Sequence, residues 1–359
     1  MTVQISTRRL VSIDALRGCT VAAMLLVNDP GDWEHVYPPL EHAEWHGWTP
    51  TDLVFPFFLF IVGVSAALSL LPRREQGVPS AVLLRTALWR SSRIVGLGLL
   101  INVLAWVLIS DAHLRFPGVL QRIGVCFAVV AAFALYTSAR VQWVAIVVIL
   151  LGYWGLLVLG GSLDQWVNIV SRTDTAVFGQ FVYLIDPDTG RGHDPEGLLS
   201  TLPSIATTLL GLRAGCWLRE ERLKPLLIGG ITAALLGALW SLWFPLNKNL
   251  WTSSYALWCA GLATLAVVTF HWLIDHHHFP APGRRFGVNA IAAYAGSQLL
   301  VVVLAPLGWQ QWLYTHLFSS WITPLTNPYV SSLAWAVAFV AFWWLIVYAL
   351  DRRRVYLKI

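Results

Sequence analysis

The chain has 359 residues, 57% of them hydrophobic and only 12% charged, with a mean hydropathy of +0.64; a soluble domain carries about 25% charged residues. This composition excludes a soluble globular protein and predicts an all-α polytopic membrane protein, since apolar runs near the ~20 residues that cross hydrocarbon recur throughout. The net charge of +5 is not gathered into a basic patch interleaved with stacking aromatics, so nucleic acid is not an expected partner.

The first apolar run, about 11–29, follows Arg8 and Arg9. It holds Asp14 and Arg17 and has no small-residue cleavage site, which predicts an uncleaved helix. Further spans are expected at about 51–71, 90–110, 117–136, 141–160, 199–218, 225–245, 251–273, 287–307 and 331–350, a bundle of about ten. Residues 311–330 are apolar but broken by Pro324 and Pro328, so spanning, re-entrant and interfacial placements stay open. No internal repeat or low-complexity tract appears. A single transmembrane domain over 1–359 is expected, with an outer loop at about 161–198 and an inner loop at about 274–286. Twenty tryptophans suit many helix ends at the bilayer interface. Cys19, Cys126, Cys216 and Cys259 fall in apolar runs without C-x-x-C spacing, neither a disulfide framework nor a metal site.

Basic residues set the expected orientation. With a cytoplasmic N-terminus, the inner segments hold Arg8, Arg9, Arg73, Arg74, Arg140, Arg219, Arg222, Lys224, Arg284, Arg285, Arg352, Arg353, Arg354 and Lys358. The outer loops keep only Arg115, Arg172, Arg191 and Lys248. Both termini are expected inside.

The stretch PLEHAEWHGWTPTDLVFPFFLF, residues 39–60, therefore faces outward. It belongs to a ring of polar residues at outer helix ends: Asn28, Asp29, His42, Asp52, Gln121, Arg122, Asp194, Glu196, Asn247, Lys248, Asn249, Ser253 and Ser254. Ionisable groups at membrane depth are functional candidates. Thr49-Pro50-Thr51-Asp52 also has the form of a helix start, with Asp52 reaching back as in a capping box. Asn28 before Asp29-Pro30 equally fits a helix end, and His46 between Trp45 and Trp48 an interfacial histidine. Asp186, Asp188 and Asp194 lack calcium-loop spacing, and His276–His278 reads as a solvated loop, so no metal is expected. At the inner side Arg17, Arg85, Arg90, Arg93, Arg284 and Arg285 either anchor the helices or meet a polyanion; Arg90 and Arg93, three apart, share a face.

These residues lie in strings that resemble the heparan-α-glucosaminide N-acetyltransferase family, including its bacterial members linked to N-acetylglucosamine utilisation. EHAEWHGWTPTDLVFPFFLFIVG matches its signature, joined in family order by IDALRG (13–18), FPGVLQRIGV (116–125), DPEGLLSTLPSI (194–205), LNKNLWTSSYALWCAG (246–261) and the closing VYLKI. The resemblance implies acetyl transfer from cytosolic acetyl-CoA to a glucosamine-type amine across the membrane, here a multi-pass inner membrane with the site opening outward. It begins near the first residue, so a chain without the lysosomal enzyme's N-terminal luminal region is expected, which leaves the acceptor undetermined. The family's histidine falls on His42 and its asparagine on Asn28.

Amide formation from a thioester needs a neutral amine, a polarised carbonyl and a proton acceptor. His42 suits the base or the acyl carrier, Asn28 an oxyanion donor, and Asp52 the group that orients His42. Arg17, Arg90, Arg93, Arg122 and Lys248 are the expected cofactor contacts. Asp194, Glu196, Ser253 and Ser254 are the expected sugar contacts. The partners are acetyl-CoA, a small amino sugar and lipid; a homodimer is left open. The competing class is a sugar transporter without acyl transfer, which favours a midplane site between paired broken helices.

Overall fold

The computed structural model describes residues 10–110 and 112–357; Arg8, Arg9 and Lys358 of the inner basic set lie outside them. Helices dominate: α1 (Val11–Asn28), α2 (Val54–Glu75), α3 (Ser80–Leu108), α4 (Val119–Tyr136), α5 (Ala139–Leu159), α6 (Ile169–Phe178), α7 (Thr201–Arg219) and α8 (Leu223–Trp240). They continue as α9 (Ser253–Phe270), α10 (Arg284–Val288), α11 (Ala290–Leu304), α12 (Trp309–Tyr314), α13 (Ser320–Ile322) and α14 (Pro328–Arg352). Two-residue strands, β1 (Leu184–Ile185) and β2 (Gly192–His193), pair antiparallel in the loop before α7.

Among the described residues nine helices are long and apolar enough to cross a bilayer. The expected span at 199–218 forms as α7 but is not one of them. Thr201, Ser204, Thr207, Thr208 and Arg213 interrupt its apolar character, and most of its residues are buried in the bundle. Burial separates an inner ring from an outer one: 61% of the apolar stretch of α1, α2 and α4 is buried, against 17% for α3, α8 and α14. The outer helices turn Leu100, Val107, Ile228, Leu235 and Leu345 outward, as lipid contact requires.

Local chemistry sets the boundaries. Thr49 and Asp52 make the expected capping box, and Pro50 opens a 3-10 turn, Pro50–Leu53, that leads into α2. The third helix begins at Ser80, ten residues before the expected start, directly after Pro79. Pro328, read as a breaker, instead occupies the first turn of α14, capped by the Asn327 side chain accepting from Val330 N at 3.1 Å. The segment before it is a run of short turns rather than one span.

Glycine seams bring the inner helices close, as small residues do in membranes. A Cβ on Gly63 of α2 would stand 1.9 Å from the Thr208 carbonyl oxygen, and one on Gly211 of α7 2.0 Å from that of Phe60. At this α2–α7 crossing backbone rests on backbone. Around it Val21, Leu25, Leu59, Ala206, Leu209 and Tyr255 form the buried core.

Candidate functional site

The segment between α1 and α2 is polar and aromatic, yet every turn of it is tied down. Thr49 Oγ1 donates to the Glu41 carbonyl at 2.6 Å and Thr51 Oγ1 to that of Pro39 at 3.1 Å. Gly47 N donates to the Leu246 carbonyl at 2.8 Å, and His46 Nδ1 lies 3.2 Å from Asn247 Nδ2. These last two lock the segment to the loop before α9.

Asp52 sits at the centre of this arrangement, 1% exposed. Its two oxygens divide the work. Oδ2 accepts from the backbone N–H of Thr49 and of Ala43, each at 3.0 Å, and so builds the turn. Oδ1 lies 2.7 Å from His42 Nδ1. A carboxylate accepts only, so Nδ1 carries the proton and Nε2 keeps its lone pair. The Asp52 carbonyl in turn accepts from Tyr255 Oη at 2.5 Å. The His42 side chain is 47% exposed, so the ring is open to arriving solutes.

Lys248 completes the group. Its Nζ lies 3.0 Å from both His42 ring nitrogens and 3.7 Å from Asp52 Oδ1. Burial pushes this ammonium toward its neutral form, while Asp52 and Glu196 pull the other way. The structure thus brings His42, Asp52 and Lys248 together. Lys248, expected among the cofactor contacts, stands beside the base.

Asn28 is the last residue of α1, half-buried, at the same end of the bundle. Asp29, which follows it, is buried, its Oδ2 has no hydrogen-bond partner among the described residues, and burial pushes its carboxyl up to about 7.

A second polar assembly lies in the loop before α7. Arg115 holds Asp194 with Nε at 2.8 Å and Nη2 at 2.5 Å, reaches Glu196 at 2.5 Å, and stacks over the Tyr183 ring. These carboxylates raise the Arg115 pKa against the effect of its burial. Asp194 also accepts from the Tyr183 and Glu196 backbone N–H groups at 2.9 Å each. Its two oxygens are therefore engaged in building the loop, and Glu196 is held by the same guanidinium. Ser253 and Ser254, expected among the sugar contacts, are fully buried and donate to the Leu150 and Pro245 carbonyls at 2.7 and 3.1 Å. They fasten the start of α9. Arg122 is fully buried over the Trp251 ring; Nη2 bonds Ser200 Oγ at 2.5 Å and the Gly197 carbonyl at 3.2 Å, while Nε and Nη1 have no hydrogen-bond partner among the described residues.

At the opposite end of the bundle a cavity of about 1370 Å³ opens where α1 starts, α2 and α7 end and residues 271–281 turn. Arg17, Arg73, Arg90, Arg93 and Arg219 line it, and Met24, Phe58, Leu120 and Tyr294 lie along its depth. Arg17 bonds Ser65 Oγ at 2.9 Å and the Gly287 carbonyl at 3.0 Å; Arg90 stands over Phe127 and Arg93 over Trp89. Arg85, Arg284 and Arg285 of the expected basic set are not among its lining residues. Arg284 and Arg285 instead approach Asp351 of α14 at 3.8 and 3.7 Å. Arg122 and Lys248 are also absent from the lining. From Met24 to Asn28 is about 6 Å of helix at 1.5 Å per residue, so along α1 the cavity stops about one turn short of the His42 end, while Leu120 carries its lining into the first turn of α4.

Residues 9–228 match the family model described as heparan-alpha-glucosaminide N-acetyltransferase, catalytic. The chain is 29% identical to the heparan-alpha-glucosaminide N-acetyltransferase of Homo sapiens over an alignment of 415 positions covering 98% of this chain and 60% of that protein. It is 26% identical to its counterpart in Mus musculus over 416 positions, covering 99% of this chain and 61% of that one. The chain thus spans about 60% of the length of the curated relatives it matches.

Proposed function

We infer that this chain, which belongs to the heparan-alpha-glucosaminide N-acetyltransferase family, is a transmembrane enzyme moving acetyl from acetyl-CoA to the amine of a glucosamine-type sugar. One observation carries the reading: a half-exposed histidine oriented by a buried carboxylate shares helices α1 and α2 with a large basic cavity at their far ends.

The cavity suits a cosubstrate with a phosphorylated head and a slender arm. Guanidinium groups recognise phosphate oxygens, and Arg17, Arg90 and Arg93 offer them at the wide end. The apolar depth past Met24 and Phe58 would take the pantetheine arm and bring the thioester toward Asn28. Both termini and the cavity mouth face the cytoplasm, as the arginine distribution supports, and His42 faces the far side of the inner membrane.

In direct transfer the sugar amine gives a proton to His42 Nε2 and attacks the thioester carbonyl. A C–N bond forms, the C–S bond breaks, and the proton returns to the departing sulfur. Asp52, with its carboxylate on Nδ1–H, supports the imidazolium that forms between these steps. Asn28 donates its side-chain amide to the developing oxyanion. Asp194 and Glu196, already engaged by Arg115, act on the sugar by shaping the outer loop.

The reading is tested by mixing detergent-purified protein with acetyl-CoA and glucosamine, then measuring free thiol and N-acetylglucosamine. Matched release of both is expected. A transporter or a scaffold would yield neither.

A further inference from the structure

We propose that Lys248 is a self-acetylation site: with acetyl-CoA bound and no sugar present, its amine takes the acetyl group and silences the enzyme. The proposal rests on the acetyltransferase reading above, and three observations on the chain itself favour it.

The first is position. An amine that His42 is to deprotonate must come within hydrogen-bond reach of Nε2, and Lys248 Nζ lies against the ring, 3.0 Å from Nε2 and equally from Nδ1. A rotation of its flexible side chain brings it in line with the Nε2 lone pair, where the amine of an arriving sugar would stand. The second is access to the neutral state. Only 17% of the Lys248 side chain is exposed, and burial favours the uncharged amine over the ammonium. Asp52 at 3.7 Å and the charge of Glu196 oppose this without reversing it. The third is selectivity. Lys224, Lys248 and Lys358 are the only lysines of the chain; Lys224 is exposed at the start of α8, and neither it nor any other lysine shares the His42 cluster among the described residues.

The step balances as the sugar reaction does. Neutral Nζ attacks the thioester carbonyl, His42 Nε2 takes the amine proton, the C–S bond breaks, and the proton leaves with the CoA thiol. The product is an amide, which imidazole cannot reverse. Acetylation removes the positive charge facing Asp52 and His42 and leaves an acyl group where the sugar amine must enter. An enzyme supplied with donor and starved of acceptor would switch itself off.

The test uses full-length protein in detergent with acetyl-CoA and no acceptor, sampled over time, digested and read by mass spectrometry at all three lysines. The expected result is acetyl on Lys248 rising toward one per chain, with Lys224 and Lys358 at background. Activity toward glucosamine should fall in step. Added glucosamine should slow the modification, and His42→Ala should prevent it. Lys248→Arg, which cannot be acylated, should show no time-dependent loss whatever its starting rate. An acetyl-imidazole would be lost on treatment with hydroxylamine, whereas the lysine amide persists. Unmodified Lys248 in protein that still converts glucosamine would overturn this proposal and leave the acetyltransferase reading intact; so would equal acetylation in His42→Ala. Absence of any sugar product would remove the underlying reading instead.

Discussion

Asp29→Asn isolates the energetic burden of the buried acid beside Asn28. The Asp29 carboxyl is 4% exposed, Oδ2 has no partner, and burial raises its pKa from 3.8 to about 7. A raised acid binds its proton more tightly in the folded state, so the Asp29 contribution to stability is greatest below pH 4 and falls as pH rises through about 7. Each unit in that window corresponds to about 1.4 kcal/mol, which sets a ceiling of about 4 kcal/mol across the interval. Asp174, raised to about 7 by the same cause, slopes the same way; His193, lowered to about 4, slopes oppositely between 4 and 6.5. The variant-minus-wild-type difference cancels both. The assay is the apparent melting temperature in detergent, at fixed scan rate, from pH 4 to 8. The Asp29→Asn protein should match the wild type at pH 4 and exceed it increasingly toward pH 8. A difference that stays flat with pH, or a variant less stable at pH 8, would refute the assignment of an uncompensated charge.

His42→Ala should abolish acetyl transfer while leaving acetyl-CoA binding intact, since a proton acceptor acts in the transition state; near-normal turnover would remove the base. Asn28→Ala should cut turnover by about two orders of magnitude and Asn28→Asp by at least as much, because a carboxylate cannot donate to an oxyanion; a tolerated aspartate would make Asn28 a helix terminus only. Changing both Arg90 and Arg93 to Gln should weaken acetyl-CoA binding at least tenfold, as losing two charge-assisted phosphate contacts would, and flatten its salt dependence; unaltered affinity in folded protein would make them lipid anchors. Cysteine at exposed position 44 should react with an impermeant thiol reagent in intact cells and cysteine at position 356 should not, and the reverse pattern would invert the topology.

What the sequence made legible was local. Periodicity and hydropathy find the helices because lipid acts on each one separately, and the Thr49–Asp52 capping box spans only four residues. The start of α3 escapes such reading because Ser80–Trp89, with exposed Arg85, forms helix beyond any purely apolar window. Pro328 misleads for a related reason: a proline that ends one helix and one that begins the next look alike until the capping Asn327 is recognised.

At the site, His42 and Asp52 are ten residues apart and could be paired in advance. Lys248 meets His42 across 206 residues, and Arg115 meets Asp194 across 79; neither separation leaves a trace in spacing. Capping and orientation, posed as rivals for Asp52, turn out compatible because each oxygen serves one. Arg115 carries one signal of its own: it is one of few basic residues in the loops expected outside, directly before the FPGVLQR string.

The apolar depth of the cavity bears on something other than cosubstrate fit. The bundle has polar groups at both ends, and a water thread joining them would let protons leak down the membrane potential, dissipating about 2.3 kcal/mol per charge for each 100 mV. Met24 and Phe58 line the cavity on helices that continue to the His42 end, Leu120 and Ile123 line it where α4 begins, and neither His42, Asp52 nor Lys248 lines it. In an acetyl-transferring chain that greasy collar would serve as electrical insulation. It would admit an acyl chain, which needs no hydration, and refuse a hydrated ion, so that chemistry could pass between two compartments without discharging the voltage that separates them.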